Sequence, residues 1–201
     1  MKRAAVMRAF AGLAVAVFPV SAEAHLDSTG MGPIYDGLLH FATSPEDLVP
    51  VLALGLWAGL RGAGHGRRTL FAVPGAWLLG GLLGSASAAA SAGALPAPFW
   101  FLLLGGLLAA DAKLSLRATT ALAAALGLAH GHANGSGMGA SGSTAVALLG
   151  LVSGVFALVA IAAAFAVPLR AAWARIAVRV AGSWIAASGL LLLGWAVRSR
   201  G

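Results

Sequence analysis

Long apolar runs separated by short polar breaks dominate the chain. The runs lie at approximately 38–60, 69–90, 95–112, 116–133, 143–168 and 174–197. A bilayer core of about 30 Å needs roughly 20 apolar residues at about 1.5 Å each, so each run predicts a spanning helix, with the limits of the third and fourth the loosest. The runs do not alternate apolar and polar positions, which argues against a β-barrel. The breaks are Arg61–Arg68, the stretch around Leu95–Pro98, Asp111–Arg117, a Gly/Ser-rich segment Gly131–Ser143, and Pro168–Arg175. A shorter run, Ala9–Val20, follows Lys2, Arg3 and Arg8 and precedes Ser21-Ala22-Glu23-Ala24. That is the pattern of a secretory signal peptide cleaved after Ala24; an uncleaved anchor is the alternative. The expected fold class is all-α: a polytopic membrane helix bundle of about six transmembrane helices, residues 25–201, after a cleaved signal peptide, residues 1–24.

Composition agrees. Of 201 residues, 60% are hydrophobic and 9% charged, and mean hydropathy is +0.91. Soluble domains carry about 25% charged residues, so a soluble fold is excluded. The chain has no Cys, which removes disulfides, thiolate metal sites and Cys nucleophiles. The net charge of +7 is spread thinly between apolar runs, which reads as membrane topology and not as nucleic-acid binding. Arg61, Arg67, Arg68, Lys113, Arg117, Arg170 and Arg175 fall in the first, third and fifth breaks; the second and fourth hold no Lys or Arg. The positive-inside rule puts the odd breaks in the cytoplasm. The acidic stretch from His25 to Asp47 then faces the periplasm, as an exported amino terminus should, in the inner membrane of a bacterium. The expected partners are the lipid bilayer, a metal ion and a second copy of the chain as homo-oligomer.

Ionisable groups near a bilayer are costly, so their positions suggest function. His65 sits in the basic first break and reads as solvated. His25, with its free α-amine after cleavage, could chelate a divalent ion. His40 lies near the outer end of the first run with Glu46 and Asp47; His130 and His132 lie at the carboxyl end of the fourth. With Asp27 and Asp36, these groups gather at one membrane face. Pro45 disfavours helix at Ser44 and starts a helix itself. Ser44 as N-cap with Asp47 three residues on resembles a capping box, and acids in a first turn complement the helix dipole; this purely structural role competes with metal binding for Glu46 and Asp47. His130 and His132 diverge by about 200° on one helix and share an ion only if the helix unwinds at Gly131; His132 also reads as a plain loop residue. Imidazole and carboxylate without thiolate suit Ni(II), Co(II), Zn(II) or Cu(II).

The stretch His40-Phe-Ala-Thr-Ser44-Pro-Glu46-Asp47, followed by Leu54-Gly55-Leu56-Trp57-Ala58, resembles the first-helix signature of the HupE/UreJ family, His-Pro-x-x-Gly-x-Asp-His and then Gly-Leu-Trp-Ala. Gly127-Leu128-Ala129-His130-Gly131 resembles half of a second motif, His-Gly-x-Ala-His-Gly-x-Glu. The family is associated with hydrogenase and urease and is regarded as nickel or cobalt permeases. The departures are specific. Phe41 replaces Pro, Ser44 replaces Gly, Glu46 stands for Asp, and Asp47 stands for the second His. Leu126 replaces the first His of the second motif, and Ala133 its Glu. The resemblance implies His40, Glu46 and His130 as metal contacts, and Asp47 as a substituted one.

The leading expectation is a permease for a divalent transition metal, nickel before cobalt, with no tightly bound cofactor. His40, Glu46, Asp47 and His130 would form a shallow outer site, with His25, Asp27 and His132 capturing the ion first. Asp111, at the inner end of the third run, would neutralise Lys113 or Arg117. The alternative is a non-transporting metal-binding or assembly accessory for a metalloenzyme. An enzyme is not expected: there is no His-Glu-x-x-His and no Walker sequence. A purely structural bundle is the remaining reading.

Overall fold

The computed structural model describes residues 29–87, 97–139 and 142–199. Its described residues form seven helices and no strand: α1 Pro33–Thr43, α2 Pro45–Leu60, α3 Ala63–Ala86, α4 Ala97–Ala109, α5 Leu116–Met138, α6 Thr144–Ala166 and α7 Ala172–Arg198. Helices α3, α6 and α7 are long and apolar enough to cross a membrane, and α4 is a shorter apolar helix. Large apolar side chains such as Phe71, Ile161, Trp184 and Leu191 face outward. A bundle that is apolar outside as well as inside is a helical membrane protein, because helices satisfy their backbone polar groups internally.

Three limits differ from the sequence expectation. The first run is two helices, split where Pro45 holds Ser44 in an extended conformation (φ −97°, ψ 94°). Helix α3 starts at Ala63, so His65, Arg67 and Arg68 are helical and not in a loop. Helix α5 continues to Met138, through Gly131 and Gly135, without unwinding.

Small residues explain the second extension and the packing. Going down α5, Gly127, Gly131 and Gly135 lie against the backbones of Val73, Trp77 and Gly81 of α3. The offset is constant at 54 residues (127 − 73, 131 − 77, 135 − 81), so the two helices run parallel in register. A Cβ at any of these glycines would strike α3 backbone. Close approach of backbones is how membrane helices gain dispersion contact without a hydrophobic driving force. Helices α4 and α7 pack antiparallel in the same manner, Gly105 facing Ala186 and Gly189 facing Leu102.

The broken pair α1–α2 descends along α6. Gly154 meets Leu38 and Phe41, Gly55 meets Val159 and Ala162, and Gly59 meets Ala163 and Ala166. Helices α1 and α2 therefore lie end to end along α6, their break beside its middle. At the far end of α2, Trp57 Nε1 donates to the Ala112 carbonyl at 3.0 Å. There Asp111, in the left-handed region at φ 50°, accepts from Arg61 and, at 3.2 Å, from Arg175. It is not the neighbour of Lys113 or Arg117 that sequence suggested. Arg179 closes this end by donating from Nε to the Ala109 carbonyl at 2.9 Å.

Candidate functional site

The break at Ser44 positions the site. Ser44 is the N-cap of α2, but its side chain makes no capping bond. Asp47, at the third helical position, does not close a capping box. Its carboxylate crosses to α5 instead, where Oδ1 accepts from His130 Nδ1 at 2.7 Å and Oδ2 accepts from Asn134 Nδ2 at 3.0 Å. Asn134 is one turn beyond His130, and the same amide nitrogen also donates to the His130 carbonyl at 2.9 Å. The Asn134 oxygen meets His40 Nε2 at 2.9 Å. One amide thus links the last turn of α1, the first turn of α2 and the body of α5. His40 and His130 belong to one network without touching.

The electrostatics are unusual. Asp47 and His130 are 3% and 7% exposed, and no Lys or Arg is bonded to Asp47 among the described residues. His130 lies between two indoles, with ring centroids 5.3 Å from Trp77 and 5.7 Å from Trp100. Its Nε2 is buried and has no hydrogen-bond partner among the described residues. If the imidazole is neutral, the carboxylate is a buried charge without a counter-charge. If it is protonated, a buried N–H is left without an acceptor. Both states are costly. A cation bound at Nε2 would relieve both at once. A metal-ligating His ordinarily donates its other ring nitrogen to a carboxylate, which fixes the tautomer, and Asp47 does this here.

The other expected ligands fall elsewhere. Glu46 is exposed, about 100° round α2 from Asp47. His132 is helical and half-buried, its backbone packed on Gly80 and Gly84. His25 and Asp27 lie outside the described residues. Asp36 accepts from Thr29 N and Oγ1, both at 2.6 Å, in the first turn of α1. No group of three or more His, Cys, Asp or Glu side chains is arranged to hold a metal among the described residues. His65 is not solvated: it is half-buried and its Nδ1 meets Thr119 Oγ1 at 2.9 Å. The site is also deeper than expected. His130 is eight residues short of Met138, about 12 Å from the end of α5.

Asn134 escaped the sequence reading because it was placed in a Gly/Ser-rich loop. The signal for it was its spacing of four from His130 in a stretch whose glycines recur every four residues.

A membrane helix bundle with two helices end to end along α6 and a buried imidazole–carboxylate pair at their break defines the class of protein. The HupE / UreJ protein family matches residues 13–192, and the chain belongs to that family. No curated protein and no solved structure matches it.

Proposed function

We propose that this chain is a permease for a divalent transition metal, nickel first and cobalt next, that takes the ion from the periplasm. The observation that carries the reading is the buried His130 Nε2, left without a partner while Nδ1 is held by Asp47. Discontinuous helices near the bilayer middle are a recurring design of transporter sites, and the α1–α2 break has that form. His130 supplies the first protein ligand, and water retained by the ion fills the remaining positions. Asp47 supplies charge and orientation, and Asn134 holds Asp47. His40 reaches the same network through Asn134 and would hand the ion on from His25, Asp27 and His132. Binding through neutral imidazole weakens as pH falls and His protonates.

The test is nickel uptake by cells and by proteoliposomes containing purified protein. Wild type should accumulate nickel, and His130→Ala should fall to the background of empty vesicles at equal expression. Normal uptake by His130→Ala overturns the site. Binding without accumulation in wild type favours the non-transporting accessory reading. Orientation is tested by single cysteines in this Cys-free chain. One at Gly142 should react with an impermeant reagent from the periplasm, and one at Lys113 should react only after permeabilisation.

A further inference from the structure

The connection from α6 to α7 is short, residues 167–171, and a short connection ordinarily folds two helices against each other. Here it does not. Helix α6 packs on α1, α2 and α3, whereas α7 packs chiefly on α4. The two diverge and leave a cavity of about 440 Å³ in the angle between them. Phe165 of α6, Leu169 and Arg170 of the connection, and Trp173, Ala177 and Val178 of α7 are among its walls. Phe165 and Trp173 are 59% and 75% exposed. Ile161, one turn before Phe165, and Trp184, two turns after Ala177, continue the apolar faces along both helices. Apolar walls offer water few hydrogen-bond partners, so in a bilayer such a gap fills with hydrocarbon. Its rim carries an unanswered charge. Arg170 is exposed and makes no hydrogen bond or ion pair among the described residues. The ends of α2 and α6 and the starts of α3, α5 and α7 all lie at this end of the bundle. Asp111 is its only acid among the described residues and is already held by Arg61 and Arg175. Arg67, Arg68, Lys113 and Arg117, like Arg170, have no acidic partner there.

We propose that the α6–α7 cavity is a binding site for an anionic phospholipid of the leaflet at the basic end. An acyl chain lies in the cleft against Phe165, Trp173, Ala177 and Val178, and the phosphate meets the Arg170 guanidinium. The planar guanidinium fork matches phosphate oxygens, and Trp173 beside it is the kind of ring that sits at headgroup depth. Charge selects the headgroup. Every phospholipid has a phosphate, but a choline or ethanolamine headgroup brings its own cation among unpaired basic side chains, and a glycerol headgroup does not. Basic pockets between membrane helices hold anionic lipids for this reason. The bound lipid supports the first turns of α7, from which Arg175 reaches Asp111 and Arg179 reaches the Ala109 carbonyl at 2.9 Å. The site is separate from the Asp47–His130 network, and it stands whether or not the chain carries a metal.

The experiment follows thermal unfolding of the purified protein in detergent as phosphatidylglycerol, phosphatidylcholine or inorganic phosphate is added, with native mass spectrometry to detect bound lipid. Phosphatidylglycerol should bind wild type and raise its melting temperature saturably; phosphatidylcholine and phosphate should not. Arg170→Ala should weaken phosphatidylglycerol about fivefold or more, the size expected for one basic side chain at a headgroup. Ala177→Trp fills the cleft from an exposed helical position; it should unfold like lipid-free wild type and lose the response to lipid. Arg198→Ala removes an exposed cation at the other end of α7 and should respond as wild type does. An equal response to phosphatidylcholine would reduce the cavity to general hydrocarbon packing and overturn the proposal. An equal response to inorganic phosphate would make it a simple anion site, with the same result. So would wild-type affinity in both Arg170→Ala and Ala177→Trp, or no saturable binding of phosphatidylglycerol at all.

Discussion

The two ends of α2 engage an acid in opposite ways: Asp47 is 3% exposed and the Asp111 side chain 26%. At its first turn, Asp47 is bound by an imidazole and an amide and has no fixed cation beside it. Past its last turn, Asp111 is bound by two guanidinium groups, Arg61 and Arg175. With His130 neutral, the first cluster sums to −1 and leaves one nitrogen unspent; the second sums to +1 with its carboxylate fully engaged. A mobile cation is attracted to the first and repelled by the second. The comparison teaches that an acid held between helices does not by itself mark a ligand site. What matters is whether the acid's charge is already cancelled. Asp111 ties α2, the α4–α5 connection and α7 together, whereas Asp47 is left with a charge that a ligand can neutralise.

The largest expected effect tests the unspent nitrogen directly. His130→Ala should lower nickel uptake by roughly a hundredfold or more, since losing even an outer-shell partner costs 10–100-fold. Removing the imidazole also leaves the buried Asp47 carboxylate bonded to Asn134 alone and a void beside Trp77 and Trp100, so some loss of stability is expected with it, and the uptake loss is read per folded protein. The check is uptake at matched protein level together with thermal unfolding in detergent.

A crossed pair of neutralising substitutions sharpens the contrast. Asp47→Asn should reduce uptake about tenfold or more while leaving the melting temperature near wild type. Asp111→Asn should do the reverse in stability. Arg61 is 8% exposed and Asp111 26%; losing hydrogen bonds to a charged, partly buried group costs about 1.5–3 kcal/mol, so a drop in melting temperature is expected. If Asp47→Asn were the more destabilising of the two, Asp47 would be a structural group like Asp111, and the distinction between the ends would fail.

The seam that carries both imidazoles should be sensitive to a single methyl. Gly131→Ala puts a Cβ into the Trp77 backbone and should destabilise by roughly 1–3 kcal/mol. Gly75→Ala, also helical but facing open space, should gain up to about 1 kcal/mol from helix propensity. Equal effects in thermal unfolding would mean that α3 and α5 do not approach as closely as described.

Which of these features could be read in advance follows from what sequence patterns encode. The helical membrane class came from run length and charge, which bilayer thickness fixes almost alone. The break at Ser44 was legible because Pro45 restricts the residue before it. The engagement of Asp47 with α5 was not, because the same acid in a first turn equally suits a cap. Gly131 and Gly135 read as a linker by the rules for soluble loops. Here they are the tight half of a helix pair, a stripe of Thr119, Ala123, Gly127, Gly131 and Gly135 at every fourth position. Recognising that period would have extended α5 and placed Asn134 on it. His65 looked solvated because it sits in the basic break with Arg61, Arg67 and Arg68, yet that stretch is the first turns of α3 and His65 meets Thr119 of α5. The family's motif points to His130, which the structure joins to Asp47, but it does not distinguish Glu46 from Asp47.

That last pair gives the smallest expected effect. By resemblance Glu46 occupies the position of the family's Asp, and Asp47 that of a substituted His. The structure reverses their apparent importance: Asp47 is 3% exposed and doubly bonded to α5, while Glu46 is exposed. On α2 the two are adjacent, about 100° apart, so they cannot both face α5 without turning the helix. Turning it would withdraw Asp47 from His130 and pull Trp57 away from Ala112. Glu46 therefore contributes only to the charge near the helix amino terminus, an effect of about 0.3–1 kcal/mol that salt screens. Glu46→Gln should change nickel uptake by less than about threefold, and less still at high ionic strength. A loss comparable to that of Asp47→Asn would mean that α2 rotates during transport and presents Glu46 to the ion.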